Sequence, residues 1–258
     1  MYIPDVGTIR KYSDEKYKIT HHNCLRNSGF ELDKQINFTA KGKAGNDTKL
    51  ENSLSRSKSK VFELAYCNTW SLFCTFTISP KRFNRYSLGP FYRTFSVFIR
   101  NFNRIHSLNI RYLIIPELHE DGAWHLHALL DGLPISSLIL FTLDMKLPYK
   151  ILHKVKNGEL VYDWPAYSSK FGFCSLEIIK NHLSVSKYIT KYVTKDLLRS
   201  VSELNAHVFY SSKGLHRSEI VYKDYMKNAI ADPDFENDYV SMKWLNNFDD
   251  CLTFFRKD

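Results

Sequence analysis

Residues 111–131 constrain the fold more than any other stretch. Arg-Tyr-Leu-Ile-Ile-Pro-Glu-Leu at 111–118 and Ala-Trp-His-Leu-His-Ala-Leu-Leu-Asp at 123–131 are extended apolar runs, joined by a loop carrying Glu120-Asp121-Gly122. So short a connection has no room for a crossover, so the two strands pair antiparallel. A three-residue hairpin loop takes a type I turn followed by a left-handed residue, and Gly122 stands at that position. Ala123 then faces His119, His125 faces Glu117, and His127 faces Ile115. Directly opposed side chains share a face at about 5 Å. A two-residue Asp121-Gly122 turn would shift the register by one and dissolve that grouping.

The rest of the chain supplies partners for the hairpin. From Trp70 to Ile78 the sequence alternates, with Trp70, Leu72, Cys74, Phe76 and Ile78 on one side and Ser71, Phe73, Thr75 and Thr77 on the other. That is a strand with an aromatic core face. Phe91, Phe95, Phe98, Ile99, Phe102 and Ile105 recur at helical spacing and predict a helix over about 88–106. A helix carrying Leu50, Leu54, Val61, Leu64 and Ala65 on one face, capped by Asn46 or Asp47, is expected before the strand. Its basic middle, Arg56, Lys58 and Lys60, is either a phosphate contact or a solvated face. A short helix near 147–156, a turn at Asn157-Gly158, a strand over 171–179, a helix over about 184–204 and a short strand at 208–211 follow. Interleaved helices with an antiparallel hairpin give an α+β class, an antiparallel central sheet flanked by helices. The polar stretch 1–46, with its linker-like Ala40-Lys41-Gly42-Lys43, is expected to be a weakly ordered or accessory arm. The division expected is therefore 1–46, a main domain at 47–220, and a C-terminal extension at 221–258.

Charge narrows the partners. The chain has 258 residues with Lys plus Arg 36 against Asp plus Glu 27, a formal charge of +9. That surplus favours a polyanion, nucleic acid before membrane surface. No stretch approaches the roughly 18–20 apolar residues of a membrane span, and Met1 is not followed by a signal-peptide pattern. Five cysteines (Cys24, Cys67, Cys74, Cys174, Cys251) are widely spaced without a CxxC, so neither a disulfide framework nor a thiolate zinc site is indicated. A soluble protein of a reducing compartment is expected.

Two patterns carry chemistry. In His125-Leu126-His127 both imidazoles project to one strand face and can share a divalent ion. Alone the motif says little, because ten histidines in this length give roughly 0.4 such pairs by chance. The hairpin adds Glu117 as a third ligand, with His119 one step nearer the turn as the fallback. Two imidazoles and a carboxylate suit Mn, Mg or Zn and leave positions open for substrate oxygens. The second pattern is Tyr188-Ile189-Thr190-Lys191-Tyr192-Val193-Thr194-Lys195, two overlapping Tyr-x-x-Lys units. On a helix Tyr188 and Tyr192 stack one turn apart, as do Lys191 and Lys195. Tyrosines on a half-buried helix face with a solvated lysine edge would account for it without chemistry.

Together the patterns resemble the HUH (His-hydrophobe-His) endonucleases, in particular rolling-circle replication initiators of plasmids and small phages. Phe73 to Ile78 looks like that family's first motif, Glu117 through His127 like its metal motif, and Tyr188 through Lys195 like its tyrosine motif in a two-tyrosine form. The resemblance spans roughly 60–215. It implies an Mg2+- or Mn2+-dependent nicking and joining of single-stranded or hairpin origin DNA through a 5′-phosphotyrosine intermediate. Glu117, His125 and His127 would be the metal ligands, Tyr188 and Tyr192 the nucleophiles, and Lys191 or Lys195 the group that stabilises phenolate or phosphorane charge. It also implies a bacterial host cytoplasm, no membrane, and a DNA polymerase as partner. No GxxxxGK[ST] occurs, so the helicase is expected to be external. An HUH transposase or mobilisation relaxase, and a non-catalytic basic DNA-binding protein, are the alternatives.

Overall fold

The computed structural model describes residues 2–3, 5–13, 15–23, 25–26, 47–203 and 207–255. The chain divides into two compact units, Thr39–Leu215 and Met1–Phe38 with His216–Asp258. The linker-like segment around Ala40 and the cap at Asn46 lie outside the described residues.

The larger unit is built on a seven-stranded sheet. Its order is Tyr210–Ser211, Arg111–Leu118, Trp124–Asp131, Leu72–Thr77, Cys174–Ile178, Val161–Asp163 and Ile139–Leu140. Every neighbouring pair is antiparallel. The alternation at 72–77 decides which side is core: Leu72, Cys74 and Phe76 are fully buried. Against them lies the Leu88–His106 helix, whose Phe91, Phe95 and Ile99 are also buried. The Phe95 ring lies 5.8 Å from Phe76 and 5.9 Å from Tyr112. Each such side chain removed from water contributes about 1.5–3 kcal/mol, so this aromatic layer anchors the sheet. The opposite face of the sheet meets the Ile189–Tyr192 turn, which contacts both hairpin strands and the Asp47–Tyr66 helix. Part of this second face is core as well, with Leu113, Ile115 and Leu129 fully buried, and its polar end towards the hairpin turn is the floor of a site.

The hairpin has the expected three-residue register. Glu117 pairs with His125 and Ile115 with His127. His119 N–H donates to Ala123 O at 3.0 Å, Gly122 N–H donates to His119 O at 2.8 Å, and Gly122 adopts φ +78°. At the far end of the second strand Gly132 turns the chain at φ +79°.

The smaller unit departs from the expected arm and separate extension. Val6–Ser13 and Lys16–His22 form an antiparallel hairpin in a five-stranded sheet with Glu219–Tyr225, Val240–Leu245 and Phe235–Glu236. Ile9, Ile19, Met226, Ile230, Cys251 and Phe255 form its core. Sequence periodicity conceals these strands because Gly7, Thr8 and Thr20 are buried alongside the few apolar residues.

The expected helix over 184–204 is also broken. It runs as an α-helix His182–Tyr188, a 3-10 turn Ile189–Tyr192 and a second helix Lys195–Glu203, with Val193 extended at ψ 93°. Among the described residues no helix is long and apolar enough to cross a membrane, and Cys67, Cys74, Cys174 and Cys251 are free thiols.

The two left-handed glycines of the hairpin should differ under substitution. A Cβ at Gly122 meets only the Tyr86 ring at 3.7 Å, whereas one at Gly132 falls 2.5 Å from the Asn109 carbonyl oxygen. Gly122→Ala should therefore cost about 1–2 kcal/mol of conformational strain, and Gly132→Ala distinctly more. Urea unfolding midpoints check this, and equal midpoints for the two variants would contradict it.

Candidate active site

The site grows from the polar face of three adjacent strands. Thr75 lies opposite His127, Thr77 opposite His125, and Glu117 opposite His125 from the other side. His127 is held on three sides. Its Nε2 lies 2.7 Å from Glu117 Oε2, its Nδ1 lies 3.4 Å from Thr75 Oγ1, and its ring stacks on Tyr192 at 3.5 Å and 11°. His119 Nε2 lies 3.9 Å from the same Glu117 oxygen, and the His119 and His125 rings are 3.9 Å apart. Sequence reasoning thus brought Glu117, His125, His127 and His119 to one place. The turn is braced by Arg85, whose guanidinium pairs with Asp121 at 2.8 Å.

The tyrosines stand over this floor. Asn181 caps their helix by accepting the Ser184 N–H at 2.8 Å. An α-helix sets residues i and i+4 about 40° apart around the axis, and a 3-10 turn widens that towards about 120°. The tightening after Tyr188 therefore drives the two side chains to different environments. Tyr192 is 7% exposed against His127, while Tyr188 is 45% exposed. They remain joined: Tyr192 Oη donates to Tyr188 Oη at 3.1 Å, with the rings 5.7 Å apart at 84°. The Tyr188 ring also meets Phe73 edge-on at 5.5 Å. Lys191 Nζ lies 3.6 Å from the Tyr188 ring centroid and 4.7 Å from that of Tyr192. Lys195 is directed elsewhere and pairs with Glu51 at 2.8 Å. Of the two lysines only Lys191 is at the tyrosine pair.

The electrostatics follow from these contacts. Burial works to raise the Tyr188 phenol, but hydrogen bonds to Lys191 and Tyr192 and the charges of Lys191 and Lys154 outweigh it, so its pKa falls below the ordinary phenol value. Burial, the hydrogen bond to Tyr188 and the negative charges nearby push Tyr192 upward. Burial lowers His125 to about 4, helped by His119 and His127. It also lowers His127 despite the opposing pull of Glu117. The hydrogen bond from His127 holds Glu117 below its usual value. At neutral pH His125 and His127 are therefore neutral imidazoles and Glu117 a carboxylate, the protonation states in which all three are ligands.

As to a metal, the donor set fits in chemical type and in its shared strand face. Among the described residues, however, no group of three such side chains converges on one point. Glu117 and His127 satisfy each other directly, and the His125 ring lies against His119 at 3.9 Å, tilted by 33°. Phe73, Thr75, Glu177 and Lys154 were not singled out from sequence, although the 70–78 alternation already set Phe73 and Thr75 on the non-core side.

Residues 71–197 match the family model described as Replication-associated protein ORF2. The match begins one residue before the central strand and ends two residues past Lys195, so it contains every strand-face and tyrosine-segment residue described above. The region is similar to replication-associated proteins. No curated protein and no solved structure matches the chain.

The imidazoles should leave a signature in stability. Unfolded His125 takes up a proton near pH 6.5 while the folded ring stays neutral to about 4, so acidification through that window favours unfolding. His127 and Glu117, also lowered, act in the same direction. Stability measured by urea denaturation should fall from pH 6.5 towards 4, and His125→Gln should flatten part of the slope. Identical slopes for the two proteins would contradict the assignment.

Proposed function

We propose that this chain initiates DNA replication by nicking and rejoining a single DNA strand, with Tyr188 as the first nucleophile. The observation that carries the reading is the continuous contact from the hydroxyl of the exposed Tyr188 through Tyr192 to the stacked His127 and its Glu117 partner. That chain of contacts supports a tyrosine poised over a phosphate-activating floor, and the family matched by residues 71–197 supports replication over transposition or plasmid mobilisation.

In this reading the Tyr188 oxygen attacks the scissile phosphorus in line. The new O–P bond replaces the P–O3′ bond, the phenol proton is released, and the departing 3′-oxygen is protonated to a free hydroxyl. The bond energy is kept in the 5′-phosphotyrosyl ester, so no nucleotide cofactor is consumed. Lys191, beside both rings, favours the phenolate and the charge that develops on phosphorus. Tyr192 donates its hydroxyl proton towards Tyr188 oxygen and so stabilises its deprotonated form. Glu117, His125 and His127, with His119 as the alternative ligand, would hold Mg2+ or Mn2+, which when bound draws charge from the non-bridging phosphate oxygens. The freed 3′-hydroxyl primes a polymerase, and a helicase is supplied from elsewhere. Tyr192 is the reserve nucleophile that cleaves the regenerated origin while Tyr188 holds the 5′ end.

Incubation with a random pool of single-stranded oligonucleotides and Mn2+ or Mg2+, run on a denaturing gel, tests the reading. Wild type should give a covalent band that excess EDTA removes. Tyr188→Phe should lose about 100-fold or more of the first-round product, the lower end of what a positioned proton-transferring group contributes. Tyr192→Phe should keep most of it, and the double variant should give none. A band that persists in the double variant would overturn the mechanism.

A further inference from the structure

Beside Tyr188, on the side away from the histidines' hairpin, the larger unit has an open cavity of about 660 Å³. It lies within the range of roughly 300–1,000 Å³ typical of small-ligand sites. Phe73, Leu160, Lys154, Glu177, Lys180 and Tyr188 are among its walls. Two features set it apart from an ordinary surface dent. Exposed apolar residues line it, Leu160 at 56% and Ile178 at 43% exposure. Within that apolar lining stands one ion pair, Lys154 Nζ donating to Glu177 Oε2 at 2.6 Å, with Glu177 directly opposite Phe73 in the sheet register.

We propose that this cavity takes one unstacked guanine of the DNA strand, the base nearest the phosphate presented to Tyr188. The proposal rests on the nicking reading above, which brings a single strand to the Tyr188 hydroxyl at the cavity's edge. A base taken out of its stack is read by apolar or aromatic walls against its faces and by hydrogen bonds to its Watson–Crick edge. Phe73 and Leu160 supply the walls. Glu177 and Lys154 set an acceptor pair beside a cationic donor. Guanine alone carries two adjacent N–H donors, N1 and N2, next to a carbonyl acceptor, O6. Both carboxylate oxygens can then accept while the ammonium donates to O6. Adenine and cytosine offer that edge a single amino donor beside a ring acceptor, and thymine one N–H between two carbonyls. Each of them offers the carboxylate one N–H donor where guanine offers two. Lys180 at the same cavity adds a charge for the adjoining phosphate.

The test uses the full chain in EDTA and labelled heptathymidylate, with its central residue kept, replaced by guanine, replaced by adenine, or made abasic. Fluorescence anisotropy reads each affinity. The guanine strand should bind about tenfold more tightly than the other three, the usual scale for one well-paired base contact. Glu177→Gln should collapse that preference to below about twofold. Leu160→Trp fills the cavity from an exposed position, leaves the ion pair in place, and should do the same. Equal affinities for the four strands in the wild type would overturn the proposal, as would a guanine preference that survives both variants. The covalent band reports separately on the tyrosine chemistry. A guanine preference without a covalent band overturns the reading of Tyr188, and a covalent band without the preference overturns the pocket.

Discussion

The pairing of Glu117 with His125 across the hairpin is the constraint on which the site depends. Side chains in a strand alternate between faces, so a slip of one residue would send Glu117, His125 and His127 to the core side and bring Leu126 and Pro116 to the floor. The register is fixed locally, by Gly122 in its left-handed conformation and by Asp121 Oδ1 accepting the Ala123 N–H at 3.0 Å. It is fixed globally by Trp124, Leu126 and Ala128, which are buried on the opposite face. Local turn chemistry and core packing select the same register, and the polar cluster is its consequence.

The second constraint is the change of helix type at Tyr188. A continuous α-helix would present two phenols side by side on one face. The tightening at Ile189–Tyr192 makes them unequal, one stacked on a buried imidazole and one facing solvent. Their hydroxyls stay in contact, so the buried phenol tunes the exposed one. Lys191 lies near both rings, whereas Lys195 is committed to Glu51 on the Asp47–Tyr66 helix. The two Tyr-x-x-Lys units are alike in sequence and different in use.

Much of this was legible from residues alone, for identifiable reasons. Hairpin register, the Phe91-Phe95-Ile99 stripe and the Leu72-Cys74-Phe76 face are local patterns whose periods survive folding. The inequality of the tyrosines was not legible, because it arises from the change to a 3-10 turn at Ile189–Tyr192, ahead of an extended and fully buried Val193. The strands at 6–13 and 16–22 were missed because small and polar residues share their buried face, and because one of their sheet partners, Glu219–Tyr225, is some two hundred residues away in sequence. The cavity lined by Phe73, Lys154 and Glu177 joins the central strand, the strand paired beside it and a helix, a juxtaposition that no sequence window contains.

On the proposed mechanism the exposed tyrosine of the pair attacks the strand. The most direct measurement is to trim the covalent protein–DNA product with nuclease, digest the protein, and locate the nucleotide-bearing residue by mass spectrometry. A single-round product carried on Tyr188 is expected. A single-round product carried on Tyr192 or on any other residue, or one released by hydroxylamine as an acyl phosphate would be, contradicts the mechanism.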